Sequence, residues 1–172
     1  MTAQTSPLIT FYKTGWENYQ QAIVKTIAPL TSKQLALPVA SHYLSIGALL
    51  AHMIDARVLW FSAWMGEENA AMTHWRGRSE PDMHEAAELV AMFEQSWHVI
   101  SSALTRWTSA DLEQTVSPPA SHQAWLRSRG EEEEPSHTRQ WIVWHVMEHE
   151  IHHGGELSLA LGVHGLDSFY TW

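Results

Sequence analysis

The sequence predicts an all-α protein built as a four-helix bundle. Long segments carry apolar residues at the helical spacings of three and four, and the alternation typical of strands is scarce. With 172 residues, 45% of them hydrophobic, the chain is long enough to bury a core and is expected to form a single domain over residues 1–172.

Four segments are predicted as the long helices. The first covers residues 6–29, and the second begins after Ser45, whose hydroxyl suits a helix N-cap, and continues to residue 66. The third covers residues 81–107. The fourth covers residues 136–161, with Ser136 as its predicted N-cap and Gly162 as its predicted stop.

The connections between these helices differ in composition. The pattern Thr-Ser-x-x-Leu follows the first helix at residues 31–35 and the third at residues 108–112, and in both places it predicts a capped helical turn. This repetition indicates either two related helical hairpins or a common cap used twice. Residues 117–135 are rich in Pro, Ser, Gly and Glu and are predicted to be a long loop before the fourth helix.

Composition excludes several classes of protein. A net charge of −9, with only ten scattered basic residues, argues against nucleic-acid binding. Cysteine is absent, so a metal site would have to use His, Asp or Glu. The N-terminus has no signal-peptide pattern, and no apolar run is seen to approach the roughly 20 residues of a membrane span. We therefore expect a cytoplasmic protein without a membrane partner.

Histidines concentrate in the fourth predicted helix. Each helical residue advances by about 100°, so His145, His149 and His153 line one stripe and His152 lies beside it. The stripe coincides with the apolar seam, where unpartnered imidazoles would be costly. Metal ligation is one explanation, and a metal-free bundle with histidines at an interface is the other.

A third protein ligand is expected from the second helix. His52 occupies an otherwise apolar face there, and Asp55 is either an alternative ligand or an acceptor that orients an imidazole. Residues 149–153 also match the H-E-x-x-H pattern of zinc peptidases. The extended peptidase motif fails at Glu156, and no sheet is predicted that could hold a peptide, so a peptidase is the less favoured interpretation.

These residues resemble a known family. A histidine inside the second helix, and a fourth-helix H-x-x-x-H followed by glycine in the segment HEIHHGG at 149–155, are similar to the DinB-like superfamily of four-helix metalloproteins. The resemblance covers essentially the whole chain. It implies that His52, His149 and His153 hold a divalent metal, typically zinc or nickel, with His145 in the second shell of the metal or in the pocket wall.

The end of the motif departs from the family. Where relatives commonly have His-Arg-Gly-Gln, this chain has His153-Gly154-Gly155-Glu156, which makes Glu156 a candidate for a pocket or supporting residue. Glycines within a helix cost about 1 kcal/mol each relative to Ala. The close approach of another helix, or of a second subunit, would explain them.

The resemblance also implies a function. Family members with assigned activity resemble thiol-dependent transferases, in which the metal activates a low-molecular-weight thiol for attack on an electrophilic small molecule. Activation of water, and a non-catalytic metal-stabilised binding or stress-response module, are the alternatives. No catalytic base is assigned, although Glu148, Glu150 and Glu156 are near the histidines in the sequence. The family often dimerises, and the ten tryptophans are consistent with a homodimer.

Overall fold

Four long helices form the bundle, and short elements connect them. The architecture is given by a computed structural model, which describes residues 7–41, 43–67, 72, 75 and 85–169. Strand in this part of the chain is limited to one pair of two-residue segments, so the all-α prediction is confirmed. In chain order the elements are α1 Pro7–Ile27, α2 Ser32–Leu35, α3 Ile46–Arg57 with its π-helical continuation Val58–Trp64, α4 Ala86–Arg106, α5 Ser109–Leu112, β1 Thr115–Val116, α6 Ala120–Ser128, β2 His137–Thr138 and α7 Arg139–Val163.

The capped turns predicted from the two Thr-Ser patterns are both present. The Thr31 hydroxyl accepts from the Gln34 backbone N–H at the start of α2, and Thr108 and Asp111 form the equivalent pair at the start of α5. In each case the side chain of the third helical residue also accepts a hydrogen bond from the backbone N–H of the cap residue, which completes a capping box. The predicted cap Ser45 is also confirmed, because its hydroxyl accepts from the Ala48 N–H at 3.1 Å.

Both predicted ends of the last helix were wrong. The helix begins after Thr138 rather than Ser136, because Val116 pairs with His137 in an antiparallel ladder and keeps that segment extended. The Thr138 hydroxyl then accepts from the backbone N–H three residues on. At the other end, Gly162 lies inside α7, and the left-handed residue that follows the helix is Gly165, with φ of 69°. The predicted start of the third helix, at 81–84, lies outside the described residues.

The segment predicted as a long loop contains a helix. Residues 120–128 form α6, which begins directly after Pro119 and buries Leu126. Its position is fixed by Gln123, whose side-chain amide donates to the Glu134 carbonyl at 2.8 Å and accepts from the Glu134 N–H at 3.1 Å. The prediction of a loop missed these nine helical residues, because it rested on the Pro-rich and Glu-rich composition of the flanking segments.

The α3 helix and its π-helical continuation form the apolar centre of the bundle. Together they give a 19-residue stretch, Ile46–Trp64, that is long and apolar enough to cross a membrane. The expectation that no apolar run approaches this length was therefore wrong. The protein itself buries 78% of the most apolar part of the stretch. We therefore assign it as a core helix.

A buried ion pair crosses the centre of the bundle. Arg57 on α3 and Glu150 on α7 are both fully buried, and the guanidinium donates to the two carboxylate oxygens at 2.5 and 2.8 Å. Trp16 on α1 donates its indole N–H to the same carboxylate at 2.9 Å. The remaining guanidinium hydrogens bond to Gln20 on α1 and to the Ser96 hydroxyl and the Phe93 carbonyl on α4, so the network joins all four long helices.

The Tyr19 side chain of α1 contacts α7 at Gly154. A Cβ atom placed there would overlap the Tyr19 hydroxyl and lie 2.8 Å from its ring carbon Cζ. The same hydroxyl donates to the Glu150 carbonyl at 3.0 Å. The space beside this glycine is therefore occupied by the Tyr19 side chain from α1. Gly155 is different, because a Cβ there would meet no atom of the described residues within 4 Å.

We expect Glu150→Ala to lower the free energy of unfolding by about 3–5 kcal/mol, because it leaves the Arg57 guanidinium buried without a counter-ion. Urea denaturation of the purified proteins would measure the loss. Glu148→Ala, which removes an exposed carboxylate from the same helix, is the matched control and should change stability by less than about 0.5 kcal/mol. Equal effects of the two substitutions would contradict a stabilising role of the buried pair.

Candidate metal centre

Three histidines from two helices converge beside a cleft. His52 projects from α3, and His149 and His153 project from successive turns of α7. The His52 and His149 Nε2 atoms are 3.1 Å apart, and one potential ligand nitrogen from each of the three rings lies within 4.8 Å of the other two. Tetrahedral zinc with three bonds of about 2.0–2.1 Å would need ligand nitrogens about 3.3 Å apart, so the cluster has nearly the required size.

The electrostatics of the cluster favour neutral imidazoles. Burial, together with the charge that neighbouring imidazoles would carry, lowers the pKa of His149 from 6.5 to about 3. Desolvation and the nearby His153 also lower the pKa of His52, although Asp55 and Glu156 act in the opposite direction. Neutral imidazoles keep the lone pairs that metal coordination requires.

A carboxylate orients one of the three rings. The His153 Nδ1 atom lies 2.7 Å from the Glu156 carboxylate, which would hold the ring proton at Nδ1 and leave Nε2 free as a ligand. His152 contacts the other oxygen of Glu156 at 3.3 Å. The Nδ1 atom of His149 is buried and has no hydrogen-bond partner among the described residues.

The cluster opens into a cleft of about 650 Å³ between the α3 continuation, α6 and α7. His52 and His149 form one end of it, and Asp55 and His145 line it nearby. The Asp55 carboxylate accepts a bond from the Trp75 indole N–H at 2.7 Å. The structure thus places both Asp55 and His145 in the cleft wall rather than among the converging ligand atoms.

An aromatic ladder runs along α7 towards this cluster. His137 stacks on Trp141 at 3.6 Å between ring centroids, and Trp141 stacks on His145 at 4.9 Å, with interplanar angles of 9° and 11°. Trp60, carried by the π-helical segment, meets the edge of His145 at 5.0 Å. This ladder was not predicted, because residues 137, 141 and 145 carry a helical spacing of four that also fits ordinary core packing.

Glu150 takes no part in the cluster, although it completes the H-E-x-x-H pattern. Its carboxylate is fully buried and is held by Arg57 and Trp16 in the core of the bundle. A peptidase of this type needs that glutamate beside the metal as a general base. The buried ion pair removes this possibility.

Comparison with known proteins places the chain in a family. Residues 1–170 match the DinB family. The chain belongs to the DinB family. The fold is similar to a crystal structure of a DinB-like protein from Bacillus cereus ATCC 10987, with a TM-score of 0.69, 16% sequence identity, and coverage of 94% of this chain and 95% of that one.

A second solved structure, of a conserved protein from Enterococcus faecalis, has a TM-score of 0.65 at 15% identity and covers 89% of this chain and 96% of that one. Both identities are low, so these likenesses show the fold alone. A search of curated proteins gave no significant match.

Membership of the DinB family and the histidine cluster together are compatible with metal binding. His52, His149 and His153, the ligands implied by the resemblance, are the residues that the structure brings together. Three imidazoles, one of them oriented by Glu156, suit a borderline transition metal such as zinc or nickel. That a metal occupies this position is part of the proposal below.

We expect the metal-free protein to lose stability as the pH falls below about 6.5. Because the folded-state pKa of His149 is low, the unfolded chain binds this proton first, and unfolding becomes more favourable until the pH nears 3. Thermal melting of the metal-free wild type and of His149→Gln, near pH 7 and about pH 4, would isolate this contribution. Between these two pH values the Tm of the wild type should fall by more than the Tm of His149→Gln. Equal decreases in the two proteins would count against a buried neutral His149.

Proposed function

We propose that this DinB-family protein binds one divalent transition metal, zinc or nickel, through His52, His149 and His153, and that it is an enzyme. The metal would activate a low-molecular-weight thiol, or water, for transfer to an electrophilic small molecule in the cytoplasm. The observation that carries the proposal is the convergence of three imidazole nitrogens at the end of an open cleft. Three protein ligands leave a coordination position for a substrate.

A bound divalent ion would supply Lewis acidity, which lowers the pKa of a thiol or water bound beside it. The chain itself contributes position and orientation. Glu156 fixes the tautomer of His153, and the hydrogen bond from Trp75 orients the Asp55 carboxylate in the cleft wall.

His145 is the cleft residue best placed to accept a proton. Its ring lies 6.4 Å from the His149 ring, and desolvation lowers its pKa below the usual value, so it is neutral near pH 7. Of the three glutamates near the histidines, Glu150 is held in the buried ion pair, Glu148 is exposed, and Glu156 is bonded to His153. These contacts make His145 a better candidate base than any of them.

A homodimer is the assembly we expect. Four exposed apolar side chains follow one face of α7 at helical spacing, namely Trp144, Ile151, Leu159 and Val163. Gly155 lies on the same face and leaves space for a close approach. We predict that the wild type sediments as a dimer and that Ile151→Glu with Leu159→Glu shifts it to a monomer. A wild-type monomer at micromolar concentration would contradict this.

Protein purified without a histidine tag should contain about one divalent ion per chain. We expect His149→Ala to reduce this metal content to near zero, because two imidazoles alone hold zinc weakly. Elemental analysis after dialysis would measure it. His98→Ala, an exposed histidine on α4, is the control and should retain the metal. Full metal content in His149→Ala would overturn the ligand assignment.

The metal-loaded protein should accelerate the reaction of an electrophile with at least one member of a panel of low-molecular-weight thiols, and chelation should abolish the acceleration. We expect His145→Phe, which keeps a ring in the cleft wall, to retain the metal and lose about 10²–10⁴-fold in rate if His145 is the general base. Spectrophotometric rate assays, together with elemental analysis of the same samples, would distinguish a loss of rate from a loss of metal. Full metal occupancy with no turnover, for any thiol or for water, would favour the non-catalytic module.

A further inference from the structure

The cleft beside the histidine cluster is lined mainly by apolar side chains. Its volume of about 650 Å³ is within the usual range for small-molecule sites. Its walls are aromatic and aliphatic, with Trp60, Leu59 and Val58 on one side and Trp125 and Pro119 on the other. Apart from the histidines and the indole N–H groups of the two tryptophans, the polar side-chain groups among its described lining residues are the Asp55 carboxylate and the Ser121 hydroxyl.

No lysine or arginine is among the described residues that line this cleft. Arg129 does lie over the Trp125 ring, with its guanidinium carbon 4.8 Å from the ring centroid. Its Nε atom, however, is paired with Glu131 at 2.6 Å. The charge of Arg129 is thus balanced on the outer side, and the contact serves to orient the tryptophan.

Trp125 is held as an open aromatic surface. It is 51% exposed, although His122 stacks against it at 5.9 Å with an interplanar angle of 26°. The paired bonds between Gln123 and Glu134 fix α6, which carries this ring, and Trp60 from the α3 continuation lines the same cleft. Two large aromatic walls favour a ligand with a flat apolar body.

We propose that the cleft binds a neutral aromatic small molecule that carries a single donor atom, such as a thiol, at the end that reaches His52 and His149. This inference rests on the proposed metal site for the donor end and on the aromatic walls for the body. An anionic thiol with several carboxylates would bring its charges towards Asp55 and find no cation among the described lining residues. We therefore expect the cleft to prefer neutral thiols over thiols that carry several carboxylates.

The aromatic body can be tested without any metal. Metal-free protein would be titrated with N-phenylnaphthylamine, a neutral dye that fluoresces in apolar sites. Trp125→Ala should weaken its binding by about tenfold, because one of the two walls is lost. The control is Tyr43→Ala, which removes an equally exposed aromatic ring that does not line the cleft. Unchanged binding in Trp125→Ala, or a loss confined to Tyr43→Ala, would overturn the proposal.

The donor end is tested with cobalt-loaded protein and two thiols. By calorimetry, benzyl mercaptan should bind at least about tenfold more tightly than mercaptosuccinate, and Trp125→Ala should reduce this preference while it keeps full cobalt content. Equal or tighter binding of mercaptosuccinate would overturn the proposal. A protein that takes up no cobalt yet binds the dye through Trp125 would refute the metal function alone and leave the aromatic site supported.

Discussion

The fold depends on the buried ion pair between Arg57 and Glu150. Two charges taken out of water are stable only when both are completely hydrogen-bonded, and here Trp16, Gln20 and Ser96 complete the network from two further helices. Any rotation or shift of α3 or α7 would break charge-assisted bonds in a dry interior. The pair therefore adds a directional constraint on the arrangement of the helices to that of apolar packing.

This constraint also determines where the histidines point. His149 precedes Glu150, so the two side chains leave α7 about 100° apart, and His52 and Arg57 leave α3 about 140° apart. When Arg57 and Glu150 meet inside the bundle, His52 and His149 are turned towards the same open side. The 3.1 Å contact between their Nε2 atoms is thus a consequence of the buried pair as much as of their own positions. Gly154 contributes by letting Tyr19 approach the same turn of α7.

Local pattern predicted those features that local physics determines. Helical periodicity, the Ser45 cap and the two capping boxes follow from neighbouring residues, and all of them are present. The histidine stripe likewise needed only the helical repeat. The start of α7 and the existence of α6 could not be predicted, because both depend on partners distant in the sequence. One is the pairing of β1 with β2, and the other is the clamp between Gln123 and Glu134.

The H-E-x-x-H pattern shows the same limit at the level of function. In a peptidase and in this chain alike, the glutamate leaves the helix about 100° from the first histidine, so local geometry cannot distinguish them. The distinction comes from Arg57, which lies 93 positions away in the sequence and binds the carboxylate in the core. A general base must reach water beside the metal, whereas a buried counter-ion must not. Residues 149–153 therefore have two separate roles here. The histidines form the candidate metal site, and the glutamate stabilises the core of the bundle.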